Sequence, residues 1–497
     1  MSEPVATDVV IIGTGFAGLC MAIRLRRAGR KNFVMLERAD DLGGTWRDND
    51  YPGCACDIPS VLYSFSFEPK SDWSRAYPTQ PEIRSYLEHC AKKYRLTSHM
   101  RFGADVSEAR YDDSTALWHV RTKAGDEFVA PVLVSGMGGL SNPHVPELPG
   151  IAEFAGPRFH SSRWDHSVAL AGRDVAVIGT GASAIQFVPQ IAPVVERLTL
   201  FQRTAPWILP KPDGPVSPRQ RALRNFLPGY RWLLRKAMYW LHEIRAIGFT
   251  VKPELLETRE ALALRYLRRQ IPDDALRARV TPDYRMGCKR VLISNDYYPA
   301  LRRENVNVVT EEISRIERDA VVTRDGVRHP ADVIVYGTGF RAQAGIGTAR
   351  IVGEGGRTLE EAWRGGMEAF LGVSVAGFPN FFTIVGPNSG LGHNSMVFMI
   401  ESHVNYVMSA LRLLGGRNVA AIDVRPGVQA DFNEKLQRRM KRTVWNSGCR
   451  SWYLDANGRN TTLWPGFTFD FRRRTYRIEP KRYRIVRKRR RAPLGRV

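Results

Sequence analysis

Two short glycine-rich runs carry residues able to cradle a pyrophosphate: Gly13-Thr14-Gly15-Phe16-Ala17-Gly18 and Gly179-Thr180-Gly181-Ala182-Ser183-Ala184. The first follows the apolar run Val9-Val10-Ile11-Ile12 and opens a helical stretch from Phe16 to Ala28. The second follows Asp174-Val175-Ala176-Val177-Ile178 and opens a helix toward Ile191. Between strand and helix, the first glycine makes the tight turn and the second lets the backbone approach the phosphates. The third position must be small so that helix and strand pack closely. Free amides and the helix dipole at the N-terminus then favour the anion. Each copy also ends its next strand in a charged residue at the same offset, 19 residues on (37 − 18 and 203 − 184). Glu37 closes Asn32-Phe33-Val34-Met35-Leu36, where a carboxylate accepts hydrogen bonds from a ribose 2′-hydroxyl. Arg203 closes Leu198-Thr199-Leu200-Phe201-Gln202, where a guanidinium suits a 2′-phosphate. The first site therefore reads as FAD and the second as NADPH, two redox cofactors on one chain.

To position them, the chain is expected to be α/β, with two Rossmann-like dinucleotide-binding domains and a helical insertion. Residues 1–145 read as the first part of an FAD-binding domain and 146–206 as the first part of an NADPH-binding domain. Residues 207–290 break the α/β pattern as a basic helical insertion or cap. Residues 291–330 return to the NADPH-binding domain, 331–480 to the FAD-binding domain, and 481–497 form a basic tail. In the insertion, Tyr230 to Gly248 is amphipathic. Tyr230, Leu233, Ala237, Leu241 and Ile244 share one face; Arg231, Arg235, His242 and Arg245 share another. Such a helix caps a cleft or packs on the core more often than it rests on a membrane, so membrane contact is not expected.

Composition bounds the remaining classes. The 497 residues are 43% hydrophobic and 25% charged, which are globular values. No uninterrupted apolar stretch reaches the roughly 18 residues of a spanning helix. Glu3 and Asp8 precede the first apolar run, so it does not read as a signal peptide. The cysteines, Cys20, Cys54, Cys56, Cys90, Cys288 and Cys449, show no CxxC pair and no metal spacing. Free thiols in a reducing cytoplasm are expected. The closely spaced Cys54 and Cys56 are poor disulfide partners, which argues against a flavin disulfide reductase. The net charge is +23, and residues 470–497 carry 13 Lys/Arg against Asp470 and Glu479. No base-reading motif accompanies that charge, so a solvated tail is expected and nucleic acid is not.

Between the two fingerprints stands Phe154-Ala155-Gly156-Pro157-Arg158-Phe159-His160-Ser161-Ser162-Arg163-Trp164-Asp165, and farther on Gly337-Thr338-Gly339-Phe340. With these, the chain resembles the flavin-dependent Baeyer–Villiger monooxygenases, a class B flavoprotein family, from about residue 5 to about 470. The signature FxGxxxHxxxW followed by Pro or Asp is matched throughout. The related N- and S-oxidising flavin monooxygenases usually carry Tyr or Phe where Trp164 stands. The resemblance implies NADPH- and O2-dependent insertion of one oxygen atom next to a ketone carbonyl, through a C4a-peroxyflavin, giving an ester or lactone. It also implies site residues. Gly44, Thr45 and Trp46, with Tyr51-Pro52-Gly53, resemble the loop running along the flavin. Asp57 falls at the family's active-site aspartate and Arg290 at its catalytic arginine. Lys289 joins Arg203 on the NADPH phosphate, and Trp452 corresponds to a tryptophan near the nicotinamide ribose. Two readings stay open for His160, a general base or a linker residue coupling the domains, the second being favoured. His393 and Asn394 either face the flavin or substrate, or cap the helix that runs from Val397. N- or S-oxidation, and NADPH oxidation without oxygen insertion, are the competing activities.

Overall fold

The four residues Val9–Ile12 are all buried, as are Phe33–Leu36 and Val132–Ser135, so these strands must be covered on both faces. They form a five-stranded parallel sheet in the order Phe381–Thr383, Val132–Ser135, Val9–Ile12, Phe33–Leu36, Met100–Arg101. The helix Phe16–Arg27 covers one face and packs on the long helix Met396–Leu414. A second parallel sheet runs Val306–Val309, Arg197–Phe201, Asp174–Ile178, Val333–Tyr336, Arg158–His160. The computed structural model describes residues 3–341, 349–416, 418–449 and 451–487. Two Rossmann-like sheets are thus present, as the paired fingerprints require. The last strand of the first sheet, Phe381–Thr383, comes after the whole second sheet in sequence, so the second domain is nested inside the first.

Two expected boundaries move. Val333–Tyr336 hydrogen-bonds in register with Val175–Ile178 and with Arg158–His160. It is therefore a strand of the second sheet, and the return to the first domain comes after Tyr336 rather than at 331. At the other end, Tyr483–Arg487 pairs antiparallel with Val419–Val424, with Tyr483 buried. The expected tail from 481 is thus ordered at its start, a short turn Pro480–Arg482 leading into the strand; residues 488–497 lie outside the described residues.

The insertion holds helices Pro218–Phe226, Tyr230–Ile244, Ala246–Thr250, Leu256–Gln270 and Asp274–Arg279. It stands on a two-stranded parallel stalk, Ile208–Leu209 against Leu292–Ile293. Trp207 secures the stalk: its ring Nε1–H donates to Tyr284 O at 2.7 Å and its carbonyl accepts from Leu292 N at 2.9 Å. The stalk brings residues just after Arg203 beside residues just after Arg290. No helix among the described residues is long and apolar enough to cross a membrane.

The expectation of free thiols fails at one pair. Cys288 and Cys449 are joined in a disulfide, 161 residues apart in sequence and 6.2 Å between Cα atoms. Cysteine usage therefore gives no support for a reducing compartment. Cys20, Cys54, Cys56 and Cys90 are free and buried, and burial pushes the Cys54 thiol up to about 12.

Three buried histidines set an acid limit on the fold. His403 accepts from Val385 N at Nδ1 (2.9 Å) and donates from Nε2 to Leu371 O (3.1 Å), so it is neutral with a fixed tautomer. Burial holds it, His160 and His242 down to about 4. A histidine with a depressed folded pKa stabilises fully above its unfolded value of about 6.5 and loses that contribution as pH falls toward the folded value. Stability should decline between pH 6.5 and 4 by about 1.4 kcal/mol per pH unit for each such group. Thermal melts across that window, flatter for His403→Gln than for wild type, would check it; parallel slopes would not support it.

Candidate active site

The first glycine turn builds a cradle. A Cβ on Gly18 would stand 1.9 Å from Gly13 O, so only hydrogen lets the helix lie this close to the strand. A Cβ on Gly15 would instead meet Gly44 Cα at 3.7 Å and Gly43 O at 3.9 Å, ordinary contacts in the gap between two glycine turns. Gly13, Gly15, Phe16, Glu37, Gly44, Thr45 and Trp46 line one cavity. The helix Phe16–Arg27 opens onto it with no side-chain cap and no acidic residue in its first turn, leaving amides for an anion. Glu37 is buried at the rim. Its Oε2 accepts from Thr14 N (3.0 Å) and Thr14 Oγ1 (2.8 Å), while Oε1 accepts from Ala39 N (3.1 Å) and meets Arg47 Nη1 at 3.0 Å. Trp46 donates to Tyr63 Oη at 3.0 Å, fixing its ring. These residues fit FAD. Gly15→Ala should therefore fold but lose flavin, whereas Gly18→Ala should lose about 3 kcal/mol of stability or more, about 3 °C or more in Tm for a chain of this length. Thermal melts with flavin absorbance separate the two effects. Equal melting temperatures would show that the close approach at Gly18 is relieved elsewhere.

The second turn is less enclosed. Gly179, at φ +105°, approaches Gly337 O, and Gly181, Ala182 and Ser183 lead into the helix Ala184–Ile191. That helix also has no side-chain cap and no acidic residue in its first turn. The stalk sets Arg203 near Lys289. Burial, then the nearby Arg203 charge, lowers the Lys289 pKa. Lys289 Nζ lies 4.5 Å from the Tyr284 ring centroid. Among the described residues neither cation forms an ion pair, so both are available to a phosphate.

Asp57 and Arg290, 233 residues apart in sequence, meet between these two sites. Arg290 Nε and Nη2 both donate to Asp57 Oδ2, at 2.9 and 2.5 Å. About a third of each side chain remains exposed, 34% for Arg290 and 29% for Asp57. The Asp57 charge pushes the guanidinium pKa further up, against the opposing effect of burial. Arg290 Nη1 makes no hydrogen bond among the described residues, which leaves a donor for a ligand. The Asp57 loop is held by the second domain. Gln186 of the helix Ala184–Ile191 accepts from Tyr51 Oη (2.8 Å) and donates to Ala55 O (2.9 Å). A Cβ on Gly53 would stand 2.7 Å from Gln186 O, so loop and helix are in backbone contact.

A family profile described as flavin-binding monooxygenase-like matches residues 6–224. A Baeyer–Villiger monooxygenase of Streptomyces coelicolor is 51% identical over 483 residues, covering 96% of this chain and 92% of that protein. One from Pseudomonas aeruginosa is 48% identical over 480 residues, covering 96% of this chain and 91% of that protein. The chain belongs to the Baeyer–Villiger monooxygenases. Among solved structures, an oxidised steroid monooxygenase bound to NADP superimposes with a TM-score of 0.86 at 33% identity, covering 97% of this chain and all of that one. This Baeyer–Villiger monooxygenase is therefore an FAD- and NADPH-dependent flavoprotein enzyme.

The signature motif of this monooxygenase lies at the seam between the domains. His160 pairs with Tyr336 across the second sheet, and its ring meets Phe340 edge-on at 5.6 Å. Its Nδ1 accepts from Ser162 N at 3.1 Å. Trp164 packs on Phe187 at 5.3 Å, and Phe187 on Tyr51 at 6.0 Å. The motif thus braces the loop that carries Asp57. Trp452 lines a neighbouring cavity with Val385, Leu391 and Leu463, which shares Gly138 to Leu140, Ile384, Val385 and Met396 with the flavin cavity. Its ring lies 4.6 Å from that of Tyr453.

Several site residues had no signal in the sequence. Tyr453 is buried and electrostatically coupled to Arg290; burial pushes its hydroxyl up to about 12, against the pull of Arg290. From the insertion, His242 donates from Nδ1 to His393 O at 3.1 Å. Glu243 accepts from Asn394 Nδ2 at 2.8 Å and Thr468 Oγ1 at 2.8 Å, and its Oε2 lies 3.7 Å from His393 Nε2. His393 and Asn394 are thus tied to the insertion, and Ser395 caps the helix Met396–Leu414. Only the side a helix turns inward could have identified His242 and Glu243, and helical spacing does not tell which side that is.

Proposed function

We propose that this enzyme inserts one oxygen atom from O2 between the carbonyl carbon of a ketone and its neighbour, giving an ester or lactone, at the Asp57–Arg290 pair. Bound FAD would supply the activated oxygen, and NADPH the hydride that prepares it. Gly13, Gly15, Phe16, Gly18, Glu37, Gly44, Thr45 and Trp46 would hold FAD. Gly179, Gly181, Ala182, Ser183, Arg203, Lys289 and Trp452 would hold NADPH. Arg290 keeps its charge at any working pH. Its free Nη1–H would hold the substrate's carbonyl oxygen, on which negative charge grows as oxygen adds to the carbonyl carbon. Asp57 orients the guanidinium and balances its charge, so that the cation is in place before the substrate arrives.

The observation that carries this reading is the Asp57–Arg290 pair, with a guanidinium N–H left over, between two dinucleotide-binding domains. The test is mass spectrometry of products from the holoenzyme with NADPH, isotopically heavy O2 and a panel of ketones, sulfides and amines. One heavy atom in an ester or lactone is the expected result. Sulfoxides or N-oxides as the sole products, or hydrogen peroxide matching all NADPH consumed, would overturn it.

A further inference from the structure

The helix Tyr230–Ile244 is turned inside out. Its polar side faces the protein: Arg235 donates to Val61 O (2.8 Å) and Ser64 O (2.9 Å), while His242 and Glu243 are buried in the contacts to residues 393, 394 and 468. Its apolar side faces out, with Trp232 64%, Leu233 61%, Leu241 52% and Ile244 61% exposed. The preceding helix adds Phe226, 83% exposed, and Trp240 meets the exposed Phe469 at 5.9 Å, extending the surface to the helix Thr468–Arg474. The polar bonds prevent the helix from rolling over to hide this face. A contiguous apolar surface of this kind marks an interaction site.

Its border is cationic. Between Asp213 and Glu243 the sequence has no acidic residue and six basic ones, Arg219, Arg221, Arg224, Arg231, Arg235 and Lys236. Arg219, Arg221, Arg231 and Lys236 are exposed, and Lys236 Nζ lies 5.6 Å from the Trp232 ring centroid. Aromatic and aliphatic side chains ringed by cations suit the boundary between lipid headgroups and acyl chains, where the apolar residues sink in and the cations meet anionic headgroups. A second copy of the chain fits poorly, since a two-fold contact would set this cationic border against itself. The net charge of +23 works in the same direction.

We propose that the outer face of helices Pro218–Phe226 and Tyr230–Ile244 docks on an anionic lipid bilayer, holding the enzyme at the membrane surface. This departs from the expectation that membrane contact is absent. The inward side of the docked helix carries His242 and Glu243, so the cap over the candidate active site would sit directly beneath the bilayer surface, a source of apolar substrate.

Sedimentation of the FAD-loaded enzyme with sucrose-filled vesicles tests this at about 0.1 M salt, where charge acts over roughly 10 Å. Vesicles of phosphatidylcholine containing one-third phosphatidylglycerol are expected to pellet the protein, and pure phosphatidylcholine to pellet much less. Combined Phe226→Ser, Trp232→Ser and Leu233→Ser should weaken binding to the anionic vesicles at least about tenfold while leaving flavin absorbance unchanged. Should that variant fail to fold, brominated phosphatidylglycerol gives a second reading, quenching tryptophan emission less in Trp232→Phe than in wild type. Absence of pelleting, unchanged pelleting of the triple variant, or equal quenching would overturn the proposal. So would lipid-free self-association abolished by the same substitutions, which would assign the face to a second copy.

Discussion

Arg290→Ala is expected to keep FAD and NADPH bound and to lower ester formation by about 10²–10³-fold, the range for removing one preorganised donor from a site of developing negative charge. Both nitrogens that face Asp57 bond to one carboxylate oxygen, so the guanidinium plane is fixed and Nη1 points elsewhere. Alanine removes the charge and the donor together. NADPH oxidation should continue, with electrons lost as hydrogen peroxide rather than appearing in product. Arg290→Lys separates charge from geometry: a lysine brings a point charge but cannot hold Asp57 and a carbonyl oxygen through one planar fork. Its ester rate should fall between alanine and wild type. Asp57→Ala leaves the cation but frees its orientation, so it should lower kcat more than it raises KM. An Arg290→Ala enzyme with an unchanged ester-to-NADPH ratio would remove Arg290 from the reaction.

What could be read in the sequence follows the distance over which each feature acts. The glycine turns, Glu37 and Arg203 are local signals: strand, turn and helix are contiguous, and the strand that follows each helix has a nearly fixed length. Asp57 and Arg290 are 233 residues apart, and only the family resemblance linked them. The strand Val333–Tyr336 was visible as an apolar run, but such a run does not say which of two parallel sheets it joins. Cys288 and Cys449 gave no spacing signal because their proximity depends on the end of the insertion folding against the C-terminal part of the first domain. The helix Tyr230–Ile244 shows the same limit in energetic terms. Helical periodicity separates an apolar side from a polar side, and the usual inference buries the apolar one. Here the space beneath the helix is a polar site that supplies partners for Arg235, His242 and Glu243, so the polar side is buried instead.

The second large effect is on cofactor choice. Arg203→Ala is expected to weaken NADPH binding by about 10–100-fold, from the loss of one charge-assisted contact of about 1.5–3 kcal/mol, while NADH, which lacks the 2′-phosphate, changes little. The structure supplies a pH signature that a general disturbance of the domain would not produce. Lys289 has a lowered pKa because it is partly buried and because Arg203 repels its charge. In the free enzyme it therefore loses its proton at a lower pH than an ordinary lysine; a bound 2′-phosphate favours the charged form and raises that value. By linkage, NADPH affinity must fall as pH rises through the free-enzyme pKa, and the preference for NADPH over NADH must narrow with it. Removing Arg203 removes one of the two causes, so in Arg203→Ala the narrowing should begin at higher pH, although affinity is lower throughout. Lys289→Ala should abolish it. Titrations of NADPH and NADH across the alkaline range, for wild type and both variants, read this directly. Equal weakening of both nucleotides, or a pH profile that ignores Lys289, would place the 2′-phosphate elsewhere.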